Sequence, residues 1–410
     1  MTKQFVAAAT LALCAIACSK DSTGPDSQVD PETALYMDGA RLAWKFVENN
    51  TQPSTGLSKA HDNYQNVTVW DIASQIAATY SAHELGFIDD GNYDGRIRKI
   101  LTTLTTMPLF DGAGFNKFYD SQTGQMVGRD DAPSATGYGW SDTDIGRLLI
   151  WLRILAVNQP QYANQATAIV NRLDMSRLIS GGTLRGMEID PNTGAKVGFA
   201  ETGLGYEQYA AAGFALWSHR ATSSLNPTAN AQPVNVMGVT VYADRRPGAR
   251  LISEPYIMMG LEIGWYVPAL HDQAEALLAA QQARYDQTGI LTMVSEDAMP
   301  EPPYYFYYYS VYDNGRTFAV EGPDASSFVD SPRWVSSKAA FGWRALFPTE
   351  YALKVLNAVQ PAAIPGDGWG AGVYEGSLAP TGIASLNTSG VILESALYHQ
   401  KGAAFLSQSI

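Results

Sequence analysis

The chain has 410 residues, 11% of them aromatic and only 16% charged, with a formal net charge of -13. No basic surplus is available to neutralise phosphates, which argues against nucleic acid as a partner. Twenty-two Tyr and nine Trp among few charges suit neutral sugars, whose apolar ring faces stack on aromatic side chains while a few polar groups fix the hydroxyls.

In chain order, a thin positive start at Lys3 precedes an apolar run from Phe5 to Ala17. That run suits a signal segment and is too short for a membrane-spanning helix of roughly 20 residues. It ends in Ala15-Ile16-Ala17-Cys18, a lipobox-like sequence that predicts a signal peptide over 1–18 and lipidation of Cys18. Bulky Leu13 before Cys14 makes Cys14 the poorer site. Ser19 in place of an aspartate favours the outer membrane, if the source is Gram-negative. Polar residues 19–32 read as a flexible tether, and residues 33–410 as one domain. Both cysteines lie in the leader, so that domain has no disulfide, Cys-ligated zinc or cysteine nucleophile.

Helical spacing of apolar residues predicts helices near Ala34–Val47, Asp71–Gly86, Tyr93–Met107, Asp142–Ala156, Gln161–Leu173, Gly203–His219, Pro255–Gly264, Pro268–Thr288, Ser336–Leu346, Glu350–Ala358 and Gly390–Gln400. Ser141 and Thr349 are candidate N-caps. Short and long connections alternate, so the long loops gather on one face, where function usually sits. The alternation breaks around Asp174–Thr202 and Arg220–Glu254, and a short twelfth helix within or beside Ala221–Ile252 would restore it. Twelve helices paired as six hairpins make an all-α (α/α)6 toroid, with β-hairpins expected at Phe115–Val127 and Leu184–Phe199.

Carboxylates cluster where long loops feed helices: Asp71, Asp142, Asp144, Glu201, Glu207, Glu254, Glu296, Asp297 and Glu375, nearly all with Trp or Tyr close by in sequence. Glycosidic-bond hydrolysis needs two carboxyl groups, one donating a proton and one activating water or attacking carbon. The helix-start acids with the best aromatic company are Asp144, Glu201 and Glu254, expected to supply the catalytic pair, with Glu201 favoured as acid and Asp144 as partner. Asp71 and Asp142 are expected to orient hydroxyls, and Trp70, Trp140, Trp369, Tyr206 and Tyr256 to contact sugar rings. The aromatic run Tyr304–Tyr309 reads equally as a sugar platform or a packed lid. Five histidines without a His-x-x-x-His pair, and no nucleotide or Gly-x-Ser-x-Gly motif, give no reason to expect a metal or cofactor.

The segments Thr68-Val69-Trp70-Asp71, Gly139–Leu149, Leu204–Ala211, Ser253-Glu254-Pro255-Tyr256, Ser336–Trp343 and Asn387–Ser395 resemble, in order, a bacterial family known as domain of unknown function 3131. A more distant likeness is to glucoamylase-like (α/α)6 domains, including those acting on β-1,2-glucans. There, a hairpin similar to Phe115–Asp120 is followed by an aspartate-bearing helix start, the counterpart of Asp144. The resemblance implies a saccharide-acting toroid. The chain departs from the family at Gly368-Trp369-Gly370, where an aromatic and a serine are expected after the tryptophan. Two functions follow: a glycoside hydrolase or transglycosidase acting on an envelope or environmental glucan-like polymer, or a non-catalytic saccharide-binding envelope lipoprotein.

Overall fold

The computed structural model describes residues 30–300, 306–321 and 333–406. The leader, Cys18, the tether up to residue 29, and Tyr304 and Tyr305 of the aromatic run lie outside the described residues. Twelve helices are described: α1 (Pro31–Asn50), α2 (Val69–Glu84), α3 (Asp90–Thr106), α4 (Asp142–Asn158), α5 (Ala163–Val170), α6 (Met175–Leu178), α7 (Tyr206–Ala215), α8 (Glu254–Ile263), α9 (Ala269–Thr288), α10 (Ser337–Leu346), α11 (Glu350–Ala358) and α12 (Leu386–Lys401).

Six of them form a closed inner ring. In the order α2, α4, α7, α8, α10, α12 each touches the next, and α12 closes on α2. These helices are apolar nearly all round, as a helix enclosed on every side must be. Fourteen of the sixteen residues of α2 are buried, and all ten of α8. The outer helices carry one apolar stripe each. In α3 it is Tyr93, Ile97, Ile100, Leu101 and Leu104, packed on α2 and α5. Likewise α1 covers α12 and α2, α5 covers α4, α9 covers α8, and α11 covers α10. The ring closes tightest between α4 and α7, where a Cβ on Gly146 would come within 2.5 Å of the Ala210 Cα. Only glycine allows backbones that close.

The caps expected at Ser141 and Thr349 form, accepting from Asp144 N at 3.4 Å and Ala352 N at 3.1 Å. Thr68 and Asp71 make a reciprocal capping box at the start of α2, which fixes two of its orphan donors. Gly264, Gly289 and Gly402 end α8, α9 and α12 with φ of 58°, 73° and 64°.

Two expectations are corrected. The chain is not all-α: eighteen strands, most of two or three residues, run through the described loops. The twelfth helix sought in Ala221–Ile252 is a β-hairpin, Ala231–Val236 paired with Val239–Asp244 and packed on α9. Val234, Val236, Val239 and Val241 flank Met237 and Gly238, whose φ of 54° and 86° build the two-residue turn that matches strand twist. The outer layer therefore has five full helices, and α6 is a single turn. The Leu184–Phe199 hairpin forms as Thr183–Ile189 with Lys196–Ala200. In the Phe115–Val127 segment the chain also turns back on itself, with Tyr119 bridging Met126 and Val127 N donating to Phe118 O at 3.0 Å, while Phe118–Asp120 pairs on its other side with Asn66–Thr68.

Candidate active site

The loops that enter the six inner helices meet over one end of the ring. There lies an open cleft of two joined chambers, one smaller and one larger. The starts of α2 (Thr68, Trp70, Asp71), α4 (Ser141, Thr143, Asp144), α7 (Tyr206), α10 (Lys338) and α12 (Asn387) all line it. Glu254, first residue of α8, sits just beneath and accepts from Trp70 Nε1 at 3.1 Å and Asn387 Nδ2 at 2.6 Å. Six helix N-termini thus present their positive ends to one place, which favours acidic residues there. Thr68, Trp70, Phe118 and Glu296 line both chambers and form the waist between them.

The larger chamber holds Asp144, Glu201 and Glu296. Burial pushes the Asp144 carboxyl up to about 8, and the nearby charges of Glu201 and Glu296 add to this. The helix N-terminus is worth only about 0.3–1 kcal/mol, under one pKa step of 1.36 kcal/mol, so desolvation and like charge win. Asp144 is therefore protonated at neutral pH. Glu201 is raised by burial too, but the Asp142 amide holds it back by donating to Oε1 at 2.9 Å. Lys117 and the hydroxyls of Ser141 and Thr143 act in the same direction.

The smaller chamber holds Asp71, Asp297 and Lys338 against an apolar wall that includes His61, Tyr64 and Phe118. Lys338 Nζ reaches Glu254 at 2.6 Å and Asp297 at 3.8 Å. Burial raises Asp71 to about 6, with the Thr68 hydrogen bonds opposing. Burial raises Asp297 to about 7, with the Lys338 charge opposing. Glu296 stands between the chambers, accepts from the Tyr206 hydroxyl at 2.6 Å, and is raised to about 7 by burial and by Glu254.

Of the residues singled out from sequence, Asp71, Asp144, Glu201, Trp70 and Tyr206 line the cleft. Glu254 does not reach into it; its carboxylate is occupied by Lys338, Trp70 and Asn387. Asp142 is wholly buried and accepts from Arg185 N at 2.9 Å, so it fixes the loop before α4 and orients no hydroxyl. Three aromatic expectations are corrected. Trp140 is sealed in, donating to Arg185 O at 2.7 Å. Trp369 is 2% exposed and donates to Gly39 O at 2.9 Å. Tyr256 is fully buried below Leu204. Bulk next to a helix start attracts core packing as readily as sugar, and sequence alone does not separate the two.

Lys117, Arg250, Tyr308 and Lys338 line the cleft without having been singled out individually. Strand alternation carries the signal for Tyr308: Tyr307 and Tyr309 are buried, and the residue between them faces the other way. Among the described residues, one group could hold a metal ion, His271 with Asp272 and Glu275 on α9, and none of the three lines the cleft.

The chain has the fold of several solved proteins. A Bacteroides caccae protein provisionally called a glucoamylase matches with TM-score 0.65 at 15% identity, over 90% of this chain and 94% of its own. The endo-β-1,2-glucanase of Chitinophaga pinensis, in complex with sophorotriose and glucose, matches with TM-score 0.65 at 14% identity, over 91% and 94%. That of Talaromyces funiculosus, in complex with sophorose, matches with TM-score 0.62 at 11% identity, over 90% and 84%. No curated protein sequence matches this one. Residues 38–402 match the family described as protein of unknown function DUF3131, and the chain belongs to that family.

Proposed function

We propose that the protein is a glycoside hydrolase acting on a β-glucan, with Asp144 as the general acid. The observation that carries this is the grouping of Asp144, Glu201 and Glu296 around one cleft, with Asp144 held protonated near pH 7 by burial and by its two neighbours. The sequence favoured Glu201 as acid and Asp144 as partner, and the surroundings favour Asp144 as the acid instead. The Asp142 amide favours the charged form of Glu201 against the burial that raises it, and the Glu201 charge in turn favours the proton on Asp144. A protonated carboxyl gives its proton to the glycosidic oxygen as the bond to the anomeric carbon breaks, while a second carboxylate serves the attacking water. The aromatic wall opposite polar groups suits a pyranose ring.

The likeness to β-1,2-glucanases makes β-1,2-glucan the first substrate to test. The purified protein is incubated with β-1,2-, β-1,3-, β-1,4- and β-1,6-linked glucans, and new reducing ends are measured. Cleavage of one or more is expected. Binding without cleavage would transfer the protein to the second reading, a saccharide-holding envelope lipoprotein.

Residues 33–410 act in this proposal as one domain held at the cell envelope by a lipid on Cys18, at the outer membrane if the source is Gram-negative. No helix among the described residues is long and apolar enough to cross a membrane, and Ala15-Ile16-Ala17-Cys18 supplies the anchor. Cys18→Ala is expected to move the protein from the membrane fraction to the soluble fraction. A variant that still sediments with membranes as wild type does would place the anchor elsewhere.

A further inference from the structure

We infer that Glu296 is the second catalytic carboxylate, paired with Asp144, and that the bond to be cut lies across the waist joining the two chambers. This rests on the hydrolase reading above and assigns the group that reading leaves open. Three observations carry it. First, Glu296 lines both chambers, whereas Asp144 and Glu201 line only the larger, and Asp71 and Asp297 only the smaller. A saccharide occupying both must pass Glu296.

Second, accessibility singles out the same pair. Asp144 and Glu296 are part-exposed, while Glu201, Asp71, Asp297 and Glu254 are buried, at 9%, 6%, 4% and 2% exposure. Third, the two acids come from different walls. Asp144 sits on α4, and Glu201 is tied to that same wall through the Asp142 amide. Glu296 projects from the short strand Glu296–Ala298, which pairs with Phe306–Asp313. Carboxyl groups that act on opposite sides of one bond need separate walls.

The Tyr206 hydroxyl at 2.6 Å and the Tyr308 hydroxyl both address the Glu296 carboxylate. Burial holds both phenols well above their usual range, so they stay protonated and act as donors. Glu254, Lys338, Arg250 and Asp144 complete its charged surroundings. In the reaction, a water oxygen bonds to the anomeric carbon and its proton passes to Glu296. The glycosidic C–O bond breaks, and its oxygen takes the Asp144 proton. Water is the only co-reactant.

The test uses the full chain, with each variant checked for folding by circular dichroism and thermal unfolding. On a glucan that wild type cleaves, Glu296→Gln is expected to lower kcat roughly 10²–10⁴-fold, the usual worth of general acid–base help. Glu201→Gln is expected to lose at most about tenfold and to move the alkaline limb of the pH profile down, because a charge that keeps the Asp144 proton is gone. Tyr206→Phe is expected to move the acid limb up, since it removes a donor that favours charged Glu296; this readout stands if Glu296→Gln does not fold. A folded Glu296→Gln enzyme within about tenfold of wild type, while Asp144→Asn is inactive, overturns the assignment and leaves the hydrolase reading intact. So does a Glu201→Gln loss as deep as that of Asp144→Asn. A wild type that cleaves no glucan overturns both.

Discussion

Replacing Asp144 by Asn is expected to lower kcat on the cleaved glucan by roughly 10²–10⁴-fold. The amide fills the same space at the start of α4 and keeps a polar group near the Ser141 cap, but it has no proton to give. The loss is expected to shrink on an aryl glycoside of the same linkage, whose leaving group departs without protonation. An equal loss on both substrates would remove Asp144 from the acid role.

The wild-type pH profile follows from the same surroundings. Activity requires Glu296 charged and Asp144 protonated. It rises as pH passes about 7, falls above about 8, and peaks between them, the two limbs belonging to the coupled pair. Asp144→Asn removes the upper limb. Stability carries the opposite mark. A carboxyl whose folded value lies above its unfolded one stabilises most below the unfolded value, and this is lost as pH rises through the folded value. Wild type and Asp144→Asn are thus expected to unfold at similar temperatures near pH 5. The variant is expected to be the more stable near pH 9, where a charge is no longer forced into a poorly hydrated cleft among other carboxylates. Activity and stability pull apart at this residue, as they do where a site is built for chemistry. A variant less stable than wild type at pH 9 would show that the burial of Asp144 stores nothing.

Much of the ring was legible because its period is local. Glu350–Ala358 was placed to the residue, and the Ser141 and Thr349 caps follow from residue type and position alone. The missing outer helix was not legible from the pattern of connections. The alternation of loops asked for a helix, but the valines around Met237-Gly238 decide for a hairpin, a case of local chemistry prevailing over architecture. Sequence grouped the acids by their place before helices, and this found Asp144, Glu201 and Asp71 in the cleft. It could not rank them, because rank depends on long-range neighbours. Glu254 looks as exposed in sequence as Asp144, yet Lys338, 84 positions later, occupies it. Glu296 gave the weaker signal, since it lies on a strand and its Tyr206 partner is 90 positions away.

Beneath the cleft, on the inner faces of the ring, Arg147 is expected to be the side chain whose loss costs the fold most. It is fully buried, within 3.1 Å of Glu394 and 3.6 Å of Glu262, neither of which is exposed to solvent. Its other arm reaches Ser74 at 2.6 Å and Asn387 at 3.2 Å, and its guanidinium lies 4.7 Å from the Trp70 ring centre. One cation thus joins α4, α8, α12 and α2. Two carboxylates share it, and burial with the Glu262 charge drives Glu394 well above its usual range, toward its neutral form. Arg147→Met leaves Glu262 buried with no counter-charge, which costs about 3–5 kcal/mol. Lysine is no substitute, because a single ammonium cannot reach both arms of the fork. The deficit is expected to narrow toward pH 5. Without Arg147 both carboxyls have raised folded values, and the proton each then takes up restores part of the stability, which is lost again as pH rises through those values. Glu394→Gln is the contrast, expected within about 1 kcal/mol of wild type at pH 7 because an amide replaces an acid whose surroundings favour the neutral form. Urea unfolding at pH 5 and 7 reads all of this. An Arg147→Met protein within about 1 kcal/mol of wild type at pH 7 would mean that water or rearranged helices solvate Glu262, and that the ring does not depend on its central cation.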